Sequence, residues 1–290
     1  MNLRKISLNS VDKITIIYIL ITSLFMLSGY NKLENLSLHL AIRSGVILLI
    51  VYFTTLENSK HKIMRFLRYF YPLIVISYFY NETGYYNNLI FNNIDPLLYH
   101  FEQLVLGFHP SVYFSQVIPY RWFSELMHFG YFSYYLMAIG ILCLFYFKKN
   151  TEYQKILFLI IISFYIYYLI FAIIPSIGPQ FYLPERERNI PQGYLFYKTM
   201  RIILTYAESE TGAFPSSHVG MAIIYLIILK DSFKNYFLVL IPFVFILMLS
   251  TVYLKAHYAI DVFAGIISAP VIYLISDFIY KKINTYKSDY

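Results

Sequence analysis

A polytopic bundle of membrane-spanning helices is the fold class this sequence predicts, and two observations predict it. Hydrophobic residues make up 59% of the 290 and charged residues only 13%, more apolar surface than a soluble fold of this length can hide. The apolar residues also fall in runs near the roughly 20 helical residues that cross a bilayer core of about 30 Å. These runs lie at about 14–30, 38–56, 66–81, 124–147, 154–174, 216–234, 236–254 and 258–280. The expected architecture is all-α with about eight spans. The third run is short, which leaves six or seven as alternatives. Aromatics at 20% suit interfacial belts and lipid-facing surfaces.

The first run follows a basic start, as a signal peptide would. Gly29-Tyr30-Asn31-Lys32 offers no small-residue cleavage site, so a retained span is expected. The net charge of +7 is scattered among the ends of apolar runs, which points to topology and away from nucleic acid. With the N-terminus inside, the inner segments hold Arg4, Lys5, Lys13, Lys60, Lys62, Arg65, Arg68, Lys148, Lys149, Lys155, Lys230, Lys234, Lys281, Lys282 and Lys287, fifteen of the 23 Lys and Arg. The positive-inside rule then places both termini in the cytoplasm.

Residues 82–123 are too polar to span. Leu97, Leu98, Phe101, Leu104 and Val105 follow helical spacing with Glu102 and Gln103 opposite, which predicts a helix lying along the interface. Gly107-Phe108-His109-Pro110 ends it as a turn, with His109 a loop residue. A long outer segment follows from Pro175 to Phe214, where Pro175, Gly178, Pro179, Pro184 and Pro191 interrupt any helix. It carries Arg186, Arg188, Lys198 and Arg201. Singly these read as solvated charge; as a set they face any anionic substrate. Cys143 is the single cysteine, so neither an internal disulfide nor a cysteine zinc cluster is possible.

The chemistry sits in the last third. Gly212-Ala213-Phe214-Pro215-Ser216-Ser217-His218 opens one apolar run, and Lys255-Ala256-His257-Tyr258-Ala259-Ile260-Asp261 opens another. A helical hairpin between them returns His257 to the face where His218 started, the outer face. His257 and Asp261 share a helical face one turn apart. The carboxylate there accepts the Nδ1 proton and leaves Nε2 to attack phosphorus. Ser216 or Ser217 caps the helix that carries His218, whose N-terminus favours an anion, and His218 protonates the leaving oxygen. Such a site works without metal or cofactor. A histidine near a helix end usually only finds a hydrogen bond, but paired ionisable groups in membrane spans are rare and mostly functional.

These stretches resemble the type 2 phosphatidic acid phosphatase superfamily. Its second motif, Pro-Ser-Gly-His or a variant, reads Pro215-Ser216-Ser217-His218. Its third, Ser-Arg followed after five residues by His and then by Asp, reads Ser250-Thr251, His257 and Asp261. Gly-Ala-Phe-Pro-Ser-x-His, His-Tyr-x-x-Asp and Leu106-Gly107-Phe108-His109-Pro110 look like the inositol phosphorylceramide synthase-like branch. The resemblance implies a six-helix core over 66–280, with two additional spans in 1–65 and a basic tail over 281–290. It also implies a lipid phosphatase or phosphotransferase acting on a lipid phosphate or phospholipid through a phospho-histidine. Two arginines of the family pattern are missing: Thr251 replaces one, and the first motif is replaced by Pro175-Ser176-Ile177-Gly178-Pro179-Gln180. The expected phosphate contacts are then Ser216, Ser217, Gln180, Lys255, Arg186 and Arg188. A less cationic pocket suits a phosphodiester over a monoester. The competing expectation is an inactive relative that binds or transports lipid.

Overall fold

The computed structural model describes residues 8–56, 61–207 and 209–285. Arg4, Lys5, Lys60, Lys287 and the end of the basic tail lie outside them. The helices are α1 (Ser10–Ser28), α2 (Leu36–Thr54), α3 (Lys62–Tyr86), α4 (Asp95–Leu106), α5 (Pro110–Val117), α6 (Arg121–Lys148), α7 (Asn150–Ile173), α8 (Pro179–Tyr182), α9 (Leu195–Ala207), α10 (Ser217–Ser232), α11 (Lys234–Tyr253) and α12 (Ala259–Thr285). Six of them, α1, α2, α6, α7, α11 and α12, are long and apolar enough to cross a membrane. The other two apolar runs fall short of that measure. The α10 helix has only 16 residues, and α3 carries Lys62, Arg65, Arg68 and Glu82.

The bundle is built around α7. A helix apolar on every side must be buried on every side, and Ile156 to Ile162 are all buried. α7 packs against α1, α3, α6, α10 and α12. Its tyrosines select those neighbours: Tyr165 stacks on Tyr18 of α1 with ring centroids 4.2 Å apart. The Tyr168 hydroxyl donates to the Ile76 carbonyl of α3 at 3.2 Å, and Tyr167 pairs with Ser268 of α12 at 3.0 Å.

Buried charge joins α1 and α2 to α3. Arg43 donates to both carboxylate oxygens of Glu82 and to Thr22 Oγ1 at 2.7 Å. Asp12, which closes the capping box of α1, also accepts from both terminal nitrogens of Arg68, at 2.7 and 2.6 Å. Removing one partner of such a pair typically costs about 3–5 kcal/mol, because the other charge stays buried.

The two ends of the bundle differ in chemistry. At one end Lys148 meets Tyr236, Lys155 meets Asp277, and Ser10 of α1 bonds Asn284 of α12. The other end gathers α4, α5 and α8 with the start of α10 and the turn before α12.

Two local readings change. The α4 helix forms where spacing predicts it, with Leu97, Phe101, Leu104 and Val105 exposed, but Glu102 is fully buried. Its apolar face looks outward and its carboxylate inward, the reverse of a helix on a soluble domain. The segment 175–214 contains a 13-residue helix, α9, which begins once Pro191 is passed and packs on α6.

Candidate active site

Three turns build the site: 175–180 before α8, 212–217 before α10, and 254–258 between α11 and α12. Their backbones are knitted together. Ala213 N–H donates to the Ser176 carbonyl at 3.3 Å, and Gln180 N–H to the Lys255 carbonyl at 2.8 Å. Ser216 N–H donates to the Asp261 carbonyl at 3.0 Å. The Ser176 hydroxyl, fully buried, accepts from Phe214 N–H at 2.7 Å.

Glycine is required where these strands of chain touch. Gly178 takes φ +82°, and a Cβ there would sit 2.7 Å from the Ala256 carbonyl. Gly265 of α12 lies against the cap of α10, where a Cβ would meet the Ser216 carbonyl at 2.6 Å.

The two histidines meet. His218 Nδ1 lies 3.2 Å from His257 Nε2, although 39 residues separate them. Ser216 caps α10, its hydroxyl accepting from Val219 N–H at 3.4 Å, so His218 falls in the first turn as expected. His257 Nδ1 lies 2.7 Å from the Ala213 carbonyl. A carbonyl can only accept, so the Nδ1 of His257 carries the proton and its Nε2 presents a lone pair. His218 then donates from Nδ1 towards that lone pair. Its own Nε2 lies 3.2 Å from the hydroxyl of Tyr131, a buried residue of α6.

Asp261 lies beside His257 but does not hydrogen-bond to it. α12 starts at Ala259, so His257 precedes the helix and the one-turn spacing does not apply. Asp261 Oδ2 is 3.6 Å from His257 Nδ1, beyond a hydrogen bond, and accepts instead from Tyr258 N–H at 2.9 Å. The Ala213 carbonyl, and not Asp261, sets the tautomer of His257.

The expected cationic contacts scatter. Lys255 takes φ +62° at the end of α11 and turns its buried ammonium onto α5, where Ser111 O (2.7 Å), Val112 O (3.3 Å) and Ser115 Oγ (3.1 Å) accept from it. Burial draws its pKa down to about 8. Arg188 binds the carbonyls of its own loop, Leu183 and Phe181, and the exposed Arg186 lies 3.6 Å from Glu187. Gln180 reaches the site through its backbone. Ser217 is buried beside His218. Thr251, at the family's arginine position, turns its hydroxyl to the Met248 carbonyl, while its own carbonyl accepts from His257 N–H at 3.1 Å.

Two buried carboxylates of α4 hold the turns in register. Asp95 accepts from Ile177 N–H at 2.9 Å, Gly178 N–H at 2.8 Å and the Tyr258 hydroxyl at 3.3 Å. Glu102 accepts from Ala259 N–H, the first residue of α12, at 2.6 Å, and its other oxygen lies 3.4 Å from His109 Nδ1. Burial pushes the Glu102 carboxyl up to about 7 and pulls the His109 imidazole down, so both favour a neutral pair. His109 sits in the loop before α5 as expected, and there its ring pairs with Glu102 and stacks on Tyr99 at 3.6 Å. Among the described residues no group of three His, Cys, Asp or Glu is arranged to hold a metal ion.

No match was found among curated proteins or among solved structures. The family model for the PAP2 superfamily matches residues 97–275, from the first turn of α4 into α12. That span takes in all three turns and both histidines, and over it the chain belongs to the PAP2 superfamily.

Proposed function

We propose that this protein transfers or releases the phosphoryl group of a lipid phosphate ester through a phospho-histidine at His257. The contact between His257 Nε2 and His218 Nδ1 carries the reading, because it brings a lone pair and a donor N–H to one point, with 3.2 Å between the nitrogens. A phosphoryl group parts the two rings. Nε2 attacks phosphorus, the bond to the leaving oxygen breaks, and His218, which takes up a second proton as the anionic phosphate binds beside it, hands its Nδ1 proton to that oxygen. The Tyr131 oxygen, 3.2 Å away, accepts from the other nitrogen of the imidazolium. Neutral His218 then takes a proton from water or an alcohol, which attacks phosphorus and expels His257. The cap Ser216, Ser217 and the N-terminus of α10 receive the phosphoryl oxygens.

The finer reading is transfer between lipids, as in the inositol phosphorylceramide synthase-like branch. Loss of two guanidinium groups supports it, since a diester brings one negative charge and a monoester nearly two. In this reading all eight long helices cross the bilayer, with α1 and α2 added to a six-helix core. Both termini are cytoplasmic and the histidines lie at the non-cytoplasmic face. At 1.5 Å per residue α10 covers only about 24 Å, which sets His218 below the surface, at the depth of a lipid headgroup.

Detergent-solubilised protein incubated with phosphatidic acid and with a phosphodiester lipid plus an alcohol acceptor, in the presence of a chelator, tests this. Turnover of either is expected, faster with the diester and acceptor. A protein that binds lipid and turns over neither would be the inactive relative.

A further inference from the structure

A cavity of about 550 Å³ runs from His218 and Ser217 into the bundle between α3 and α6, with Phe164 and Tyr168 of α7 as its floor. It follows α3 from Asn81 down to Leu73 and α6 as far as Ile139. The eight steps along α3 from Asn81 to Leu73 give a depth of about 12 Å at 1.5 Å per residue. Its wall becomes apolar with depth, from Asn81 and Tyr80 near the histidine to Leu73 and Ala138. At its flanks Ile74 and Ile139 are exposed on the outer surface of the bundle, 72% and 51%. The slot therefore communicates with the lipid-facing side as well as with the histidine.

We infer that this slot holds a single hydrocarbon chain of the substrate, which enters sideways from the bilayer between α3 and α6. At roughly 30 Å³ per water-sized group, 550 Å³ takes on the order of 18 methylenes, enough for one long chain. Continuity with His218 places that chain on the molecule whose phosphate reacts. A second chain, where the lipid has one, stays in the bilayer. The inference rests on the phosphoryl-transfer reading for the chemistry at the head of the slot, but the slot can be probed without turnover.

The probe is a monoacyl phosphate of 16 carbons with a diazirine at the end of the chain. After irradiation, labelled peptides should map to 73–77 and 138–139, and Ala138→Trp or the milder Ala138→Leu should move the label away. Label elsewhere, or unmoved by both substitutions, overturns the slot. In a kinetic series from 4 to 16 carbons, wild-type KM should fall with length. Ala138→Leu should raise it at least tenfold for 16 carbons while leaving 4 carbons within twofold, which also shows the variant is folded. Equal effects at both lengths overturn the inference. Labelled 73–77 without any turnover would sink the phosphoryl-transfer reading and leave the slot standing.

Discussion

His257→Ala is expected to abolish turnover, by about 10⁴-fold or more, with unchanged expression and folding. Removing a covalent nucleophile forfeits the intermediate itself, and losses on this order are typical of such groups. The ring is anchored from behind by the Ala213 carbonyl at 2.7 Å, so its loss leaves the backbone of the three turns bonded as before. His218→Ala should cost less, on the order of 10²–10⁴-fold, the range of a general acid–base group. Its loss should depend on the leaving group: small for p-nitrophenyl phosphate, whose oxygen departs unprotonated, and large for an alkyl phosphate. Initial rates of both variants on both substrates give the comparison. Equal losses on the two leaving groups would remove His218 from the acid role, and full activity of His257→Ala would remove the mechanism.

Asp95→Ala is the second large effect. The carboxylate accepts from Ile177 N–H, Gly178 N–H and the Tyr258 hydroxyl, all around a fully buried side chain. Truncation leaves those donors unmet in a dry place, at about 1–3 kcal/mol for each orphan that water does not reach. It also unlinks the turn before α8 from the turn holding His257. A misplacement on the order of 1 Å lowers rate by about 10²-fold. The expected result is a melting temperature lowered by several degrees together with a fall in kcat of about 10²-fold. Asp95→Asn, which keeps one acceptor oxygen, should fall between. A stable, fully active Asp95→Ala would show that the backbone bonds among the turns suffice alone.

Asp95 and Glu102 were also the part of the site hardest to read from the chain. Apolar runs report their own length, and a hairpin of two runs returns its ends to one face, so the meeting of His218 and His257 was legible. The spacing of Leu97, Leu98, Phe101, Leu104 and Val105 correctly gave a helix but hid the direction it faces. In a bilayer the apolar face turns to lipid, and the carboxylate that would mark a wetted surface becomes an inward ligand for the start of α12. His257 and Asp261 do lie together, but at 3.6 Å they miss the expected hydrogen bond, for a smaller reason. One-turn spacing aligns two side chains only if both lie on the helix, and α12 begins two residues after His257. Its true hydrogen-bond partner is a main-chain carbonyl, which no residue identity announces. Lys255 misled because a cation beside a candidate phosphate site has a competing use: it closes α5 against the end of α11.

The most direct measurement is the site of the phosphoryl label. Wild-type protein mixed with radiolabelled substrate and quenched in alkali should carry an acid-labile phosphate, and tandem mass spectrometry should place it on His257, with none in His257→Ala. Active protein that never carries the label, or carries it on a residue other than His257, would contradict the account.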